Sequence, residues 1–336
     1  MLRTYSSINL QDVFKTALYD LMTEGMIASP RGMETREFVP AVFEVKNPRS
    51  RFITLESRRM NPFYGIIETL WYLNGDNNVE RLVPYNKAMA KFSDDGKTLS
   101  GAYGARLIKK NQDLNKSQFG LVYDKLKEDP SSRQAVSIIW DPWRDYAKTK
   151  DVPCTIGFIF TIRENKLNMT TIMRSNDIVL GTTYDVFAFT IFQEFLARKL
   201  GVGLGTYTHL ANSFHVYEMH YNKAWEMIRD NTPAALMPEM PETSWKMFES
   251  LYSFEELVRE STKKKEYVSF DDDWLEQAKT FGEYWSDWAY MIVLYWAYTK
   301  RKEGSSTQNI ARKAYSLLHP TYQIMTKKWI NKLDTV

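Results

Sequence analysis

Apolar positions recur at helical spacing from residue 9 to 27, with Val13, Ala17, Leu18, Leu21 and Met22 on one face, which predicts an amphipathic helix. Ser29-Pro30-Arg31-Gly32 ends it. Alternation from Phe38 to Val45 predicts a strand. Asn61-Pro62 supplies a cap and a first-turn proline for a helix from Phe63 to Leu73 that is apolar nearly all round. Ser93 to Gly104 reads as a polar loop ending in Ala102-Tyr103-Gly104. Gln118 to Glu128 reads as a helix and Asp129-Pro130-Ser131-Ser132-Arg133 as a turn. The mostly apolar run from Ala135 to Trp140 predicts a short strand buried on both faces. Thr155 to Arg163 and Lys166 to Met173 alternate on either side of Glu164-Asn165, as a hairpin does. A strongly apolar helix then runs from Asp185 to Leu200 and stops at Gly201. Gly205 to Tyr217 is extended, and Met219 to Arg229 is helical.

After Asp230 the character changes. Asn231 to Pro241, rich in Pro, Ala and Met, reads as a connector. Three helices are expected beyond it: Phe254 to Lys263, Asp272 to Lys302, and Thr307 to Leu333 with a break at Pro320. Lys263-Lys264-Lys265 reads as a solvated turn. The pattern divides the chain into residues 1–230 and a helical extension, 231–336, which holds six of the ten tryptophans.

A hydrophobic content of 44% with 25% charged residues is that of a globular protein. The net charge of +3, from 44 basic and 41 acidic residues, is too balanced to argue for a nucleic-acid polymer as partner. A single cysteine excludes an internal disulfide and fits a reducing compartment. Met1 to Gln11 lacks a signal-peptide core, and Ala289 to Tyr298 is about half the length that spans a bilayer. A cytoplasmic protein, without membrane or metal partners, is expected.

Glu68 lies mid-way along an apolar helix, where a carboxylate needs a partner, such as an arginine or a Trp N–H, or a task. Cys154 follows a proline at a strand start. It is either an inert core thiol or, with a cation beside it, a nucleophile. Arg174, on the other strand of the hairpin, is positioned to be that cation or to bind a phosphate.

Together these stretches resemble the thymidylate synthase family. The resemblance rests on Pro153-Cys154; on Arg174-Ser175-Asn176-Asp177-Ile178-Val179-Leu180-Gly181; and on His215-Val216-Tyr217. It also includes Glu68 with Trp71-Tyr72-Leu73-Asn74-Gly75-Asp76, the Ala102-Tyr103-Gly104 loop and the Asp129-to-Arg133 turn. It covers roughly residues 7 to 222. It implies an α/β (α+β) mixed sheet with surrounding helices, to which the helical C-terminal extension is added. It also implies a homodimer packed sheet against sheet. By position, Cys154 resembles the nucleophile that adds to C6 of a pyrimidine nucleotide, Glu68 the general acid/base, and Tyr103 a neighbour of the nucleophile. Arg174, Ser175 and Arg31 resemble the phosphate-binding group, with Arg133 reaching across from the other subunit. His215 and Tyr217 resemble the pair on the sugar 3′-hydroxyl. Asp177 resembles the carboxylate on the pterin of 5,10-methylenetetrahydrofolate, with Trp71 and Phe92 also assigned to the folate side.

The departures point to a particular branch. Synthases carry Asn where this chain has Asp185. A protonated Asp facing cytosine donates to N3 and accepts from the 4-amino group, and a carboxylate facing an N3-protonated ring matches as well, whereas a carboxylate is repelled by O4 of uracil. This Asp resembles the deoxycytidylate 5-hydroxymethyltransferase branch, although an Asp here would equally serve as a helix cap. The ending Asn331-Lys332-Leu333-Asp334-Thr335-Val336 is unlike the closing tail of the methylating enzymes, and Phe92 stands about where they have a wall tryptophan. Both lean towards water, rather than hydride, as the last reactant. Gln134 replaces one arginine of the phosphate pair, Thr155 the usual His, and Ser213 an Asp. The expected activity is therefore hydroxymethylation of dCMP or CMP at C5, with Ser175 tilting the choice to dCMP. The alternatives are a cytidylate methyltransferase, a dUMP-directed enzyme and an inactive nucleotide-binding homologue.

Overall fold

The computed structural model of the chain describes residues 2–263, 272–302 and 305–333. Two compact units are formed, one from residues 1–60 and 71–242, the other from 61–70 and 243–336.

The first unit opens with β1 (Arg3–Ser7), α1 (Leu10–Glu24), β2 (Met26–Ala28), β3 (Thr35–Phe38) and β4 (Ala41–Val45). Helix α2 (Pro62–Leu73) follows, its last three residues belonging to this unit. Then come α3 (Tyr103–Ile108), α4 (Gln118–Glu128), β5 (Val136–Ile138), α5 (Pro142–Asp145), β6 (Thr155–Arg163) and β7 (Lys166–Asp177). The unit's last elements are α6 (Thr182–Leu200), β8 (Gly203–Tyr217) and α7 (Tyr221–Arg229). The mixed sheet runs β1-β4-β8-β7-β6-β5, with β3 on β8 and β2 on β3. The central strands β7 and β8 are parallel, and α6 is the crossover that parallel neighbours need.

Asn9 accepts from the Asp12 N–H at 2.8 Å and caps α1, whose apolar stripe is buried. The helix stops at Glu24, short of the expected 27, because Met26 to Ala28 pair with β3. The strand expected over 38–45 is two strands, broken at Val39-Pro40, where proline offers no N–H to a ladder. Both pair with the long β8, β3 through Thr35↔Tyr217 and β4 through Val45↔Tyr207.

The strand expected to be buried on both faces is β5, and it is not. Val136 is 43% and Ile138 48% exposed, because both point to a sheet face left open, whereas Ser137 between them points to the other face and is buried. Helix α6 is buried nearly all round, so its polar side chains need partners. Gln193 donates to the Leu167 and Thr206 carbonyls at 2.9 and 3.0 Å. Glu194 pairs with the buried Arg51 and accepts from the Met240 N–H at 2.8 Å. Gly201, at φ 69°, closes the helix in the left-handed region.

The connector expected over 231–241 is irregular but held to this unit. Gln11, Ser50 and Thr54 donate to the carbonyls of Thr232, Ala235 and Pro233 at 2.6, 2.8 and 2.6 Å. Met237 and Met240 are buried.

The second unit comprises α8 (Trp245–Ser261), α9 (Asp273–Lys279), α10 (Gly282–Thr299), α11 (Ser305–Leu317) and α12 (Pro320–Asn331), with Asn61 and residues 62–70 of α2. Helix α10 is its core. The Trp288 indole donates to Tyr322 Oη at 2.9 Å and the Trp285 indole to Thr243 Oγ1 at 3.1 Å. The helix expected over 272–302 is split at Gly282, φ 81°, and the last one before Pro320. Lys264, Lys265 and the ending Asp334-Thr335-Val336 lie outside the described residues. Among the described residues no helix is long and apolar enough to cross a membrane.

Candidate active site

Cys154 stands immediately before β6, and Arg174 on β7 clamps the turn that presents it. Arg174 donates from Nε to the Pro153 carbonyl at 2.8 Å and from Nη2 to the Val152 carbonyl at 3.0 Å. The same Nη2 lies 3.6 Å from Cys154 Sγ, and the guanidinium sits 5.8 Å from the Trp140 ring centroid. The cation expected beside the thiol is therefore there. Burial nonetheless pushes the thiol up. Arg174 and Arg31 pull it down, but the carboxylates of Asp185 and Asp151 add to the rise. Before a ligand arrives the thiol keeps its proton at neutral pH.

Tyr103 starts α3 with its ring stacked on Tyr72 at 5.4 Å. Burial, then the charges of Asp185 and Cys154, push its phenol well above the ordinary range. The helix can start there only because residue 104 is glycine, since a Cβ would collide with the Tyr72 carbonyl.

Asp185 lies in the first turn of α6 but does not cap it. That helix begins at Gly181 without a side-chain cap, and the half-buried carboxyl accepts from Asn176 Nδ2 at 2.8 Å. Burial pushes Asp185 up to about 7, with Asn176 pulling down and Asp177 pushing further up. Asp177 ends β7. Its Oδ1 accepts from the N–H groups of Val179 and Leu180 at 2.7 and 2.9 Å, while its buried Oδ2 has no hydrogen-bond partner among the described residues. Burial raises this carboxyl too, against the Leu180 N–H and His215.

His215 pairs in register with Asp177 across β7 and β8, and its ring meets Tyr217 edge-on at 5.0 Å. Ser175 pairs with Ser213 in the same ladder. Ser213 donates to Glu37 of β3 at 2.7 Å, so a carboxylate lies beside a position where synthases carry one.

Cys154, Tyr103, Arg174, Ser175, Asp177, Asp185, His215 and Tyr217 thus belong to one sheet and the two helices α3 and α6. Arg31 is exposed in a turn at φ 56°, with its charge felt at Cys154. Arg133 and Gln134 are exposed ahead of β5. Phe92 is 47% exposed, whereas Trp71 is buried with its indole on the Asn78 carbonyl at 3.0 Å. Glu68 belongs to the second unit, buried on α2, where it accepts from Tyr64 Oη at 2.5 Å.

A profile of the thymidylate synthase family matches residues 12–267, most of the chain. The chain belongs to the thymidylate synthase family. The match runs through α8, so part of the expected extension falls inside it. The deoxyuridylate hydroxymethyltransferase of Bacillus phage SP01 is 38% identical over 224 residues, which is 64% of this chain and 58% of that protein. The protein of the same name in Pseudomonas phage M6 is 36% identical over 220 residues, 64% of this chain and 62% of its own. The chain therefore spans less than two thirds of these phage relatives. A putative thymidylate synthase of Methanosarcina mazei is 29% identical over 223 residues, 66% of this chain and 91% of its own. Thermostable thymidylate synthase A from Bacillus subtilis shares the fold, with a TM-score of 0.61 at 22% identity over 71% of this chain and 91% of its own.

Within this family member, four site features escaped the sequence reading. Asn176 sat inside the Arg-Ser-Asn-Asp motif without a role. Glu37 meets the site from β3 and Trp140 from the segment after β5. A cluster of Arg58, Arg59, His220 and Lys223 lies near Asp177. There Arg58 donates to Thr183 Oγ1 at 3.0 Å, and burial followed by Arg58 and Arg59 pushes the Lys223 ammonium down. Only the Arg58-Arg59 doublet left a local signal.

Proposed function

We propose that the protein transfers a one-carbon unit to C5 of a pyrimidine deoxynucleotide and adds water to it, with cytosine as the base. Cys154 sulfur adds to C6, its proton passing to water as the ring binds; C5 becomes nucleophilic, takes the carbon unit and loses its own proton, and the C6–sulfur bond breaks as water adds to the new carbon. Arg174 holds the Cys154 turn with Nε and Nη2, which leaves Nη1 for the phosphate beside Ser175 and Arg31. His215 and Tyr217 hold the sugar, and Glu68 manages protons at the ring. 5,10-Methylenetetrahydrofolate supplies the carbon unit when bound. Its fit is supported by the unpartnered Asp177 Oδ2, which suits a pterin N–H, and by the Arg58, Arg59 and Lys223 cluster, which suits carboxylates. A homodimer with the exposed Arg133 reaching the partner's phosphate site completes the reading. One sheet face, half-buried along alternate positions of β7 and β8, is open to such packing.

The observation that carries the base assignment is the carboxyl of Asp185 on α6, held by Asn176, where an amide would read uracil. Water as last reactant is supported by the names of the phage relatives. Those names also favour a second reading, dUMP. With its proton on, Asp185 offers a carbonyl to N3–H and an O–H to O4.

Incubation with dCMP, dUMP, CMP or UMP and the folate, followed by mass spectrometry, separates these readings. Hydroxymethyl-dCMP with tetrahydrofolate is expected. Turnover of dUMP alone, fading above about pH 7 as Asp185 ionises, establishes the second reading. A methyl product with dihydrofolate overturns the role of water. Failure to form an adduct with 5-fluoro-dCMP, or to release tritium from C5 of any nucleotide, overturns both readings.

A further inference from the structure

Asn176 is 3% exposed and stands between two side chains of α6. The Thr182 hydroxyl donates to its Oδ1, and its Nδ2 donates to Asp185 Oδ2 at 2.8 Å. Thr182 is 2% exposed and also lies 3.2 Å from the Asp177 carbonyl, so the hydroxyl is fixed on both sides. Gly181 packs against this chain of contacts. A Cβ there would stand 3.1 Å from Asn176 Nδ2 and 3.2 Å from Asp185 Oδ2.

We propose that Asn176, oriented by Thr182, is a positioning residue that sets which oxygen of the Asp185 carboxyl carries a proton, and through it the base preference of the site. An N–H aimed at Oδ2 favours the carbonyl form of that oxygen, because a hydroxyl oxygen is the weaker acceptor and its proton, turned to Asn176, would face the amide hydrogen. The proton of neutral Asp185 is therefore biased to Oδ1. The acid then presents donor and acceptor in a preferred order. Cytosine and uracil differ at this edge in which of N3 and the C4 substituent donates. A carboxyl free to move its proton between oxygens matches both bases, and one with a biased proton favours one of them in a given ring pose. The ionisable groups facing Asp185 are Asp177 at the end of β7, Cys154 before β6, Tyr103 on α3 and Tyr207 on β8. Burial holds both tyrosines neutral, and the Asp177 carboxylate has no proton to donate when ionised. The inference rests on Asp185 being the residue that faces the base.

The test compares Asn176→Ala, Thr182→Val and Thr182→Ser with the wild type. One readout is the ratio of kcat/KM for dCMP and dUMP. The other is the titration of the Asp185 carboxyl by carbon NMR in ligand-free protein, assigned with Asp185→Asn. Asn176→Ala should shrink the base preference by about five- to tenfold, whichever base the wild type favours, as loss of one hydrogen bond does. It should also move the Asp185 titration to the alkaline side. Thr182→Val should act in the same direction but less, and Thr182→Ser should stay near wild type. Unchanged preference and titration in both Asn176→Ala and Thr182→Val overturn the proposal. An equal loss in Thr182→Ser does so too. If no pyrimidine nucleotide reacts, the proposed function falls while the titration still decides: a shift supports the positioning role and its absence refutes it.

Discussion

A half-buried carboxyl beside a second carboxylate destabilises the folded chain when both are ionised. Asp185, at about 7 in the folded state and near 3.9 when unfolded, binds its proton more tightly folded. Its contribution is therefore most favourable below about pH 4 and is lost as pH rises towards about 7. Asp185→Asn should raise stability by about 2–4 kcal/mol at pH 8 and by much less at pH 5, read from urea midpoints. Equal gains at both pH values would show that the carboxyl is not perturbed. The same variant should shift turnover towards dUMP. At Cys154 the balance of burial against Arg174 predicts slow alkylation by iodoacetamide at pH 7. Arg174→Ala should slow it further at pH 8, because the guanidinium is the largest influence favouring the thiolate. The motif residues were legible one by one, as Cys154, Arg174, Asp177 and Asp185. The protonation states were not, because they are set by depth and by neighbours from other elements.

At the scale of elements, α6 shows how a helix buried on every side is kept. Its polar residues each meet a partner, and Arg51 with Glu194 is the costliest to separate. Glu194→Ala leaves a buried guanidinium and the Met240 N–H unpaired. A loss of about 3–5 kcal/mol is expected by chemical denaturation. A loss below about 1 kcal/mol would mean that water reaches Arg51. The hairpin at Glu164-Asn165, α4 and the stop at Gly201 were readable because turn chemistry and periodicity act within a few residues. The exposure of β5 was not readable. Val136 and Ile138 look like core, and only the tertiary packing, which leaves their face of the sheet open, exposes them. The break at Gly282 was missed because an apolar pattern continues through it.

Across the whole molecule, the connector from Asp230 onward shows that an irregular segment can be a structural tie. Burial pushes the Asp230 carboxyl up. Hydrogen bonds from Ser57 and Thr232 outweigh that and hold it well below the usual range. Its contribution is present above the unfolded value, about 3.9, and is lost as pH falls towards the depressed folded value. Asp230→Asn should cost about 1–3 kcal/mol at pH 7, and the difference from wild type should narrow below about pH 4 in acid-denaturation curves. Sequence by itself determined most of the longer elements and singled out Cys154, Arg174 and Asp185, since these are local patterns and residue types. Tertiary structure alone decided that burial pushes the Cys154 thiol up, that Asn176 donates to Asp185, that Glu37 stands beside Ser213, and that α2 is divided between two compact units. Each of these depends on burial and on partners far apart in the chain, which no window of sequence contains.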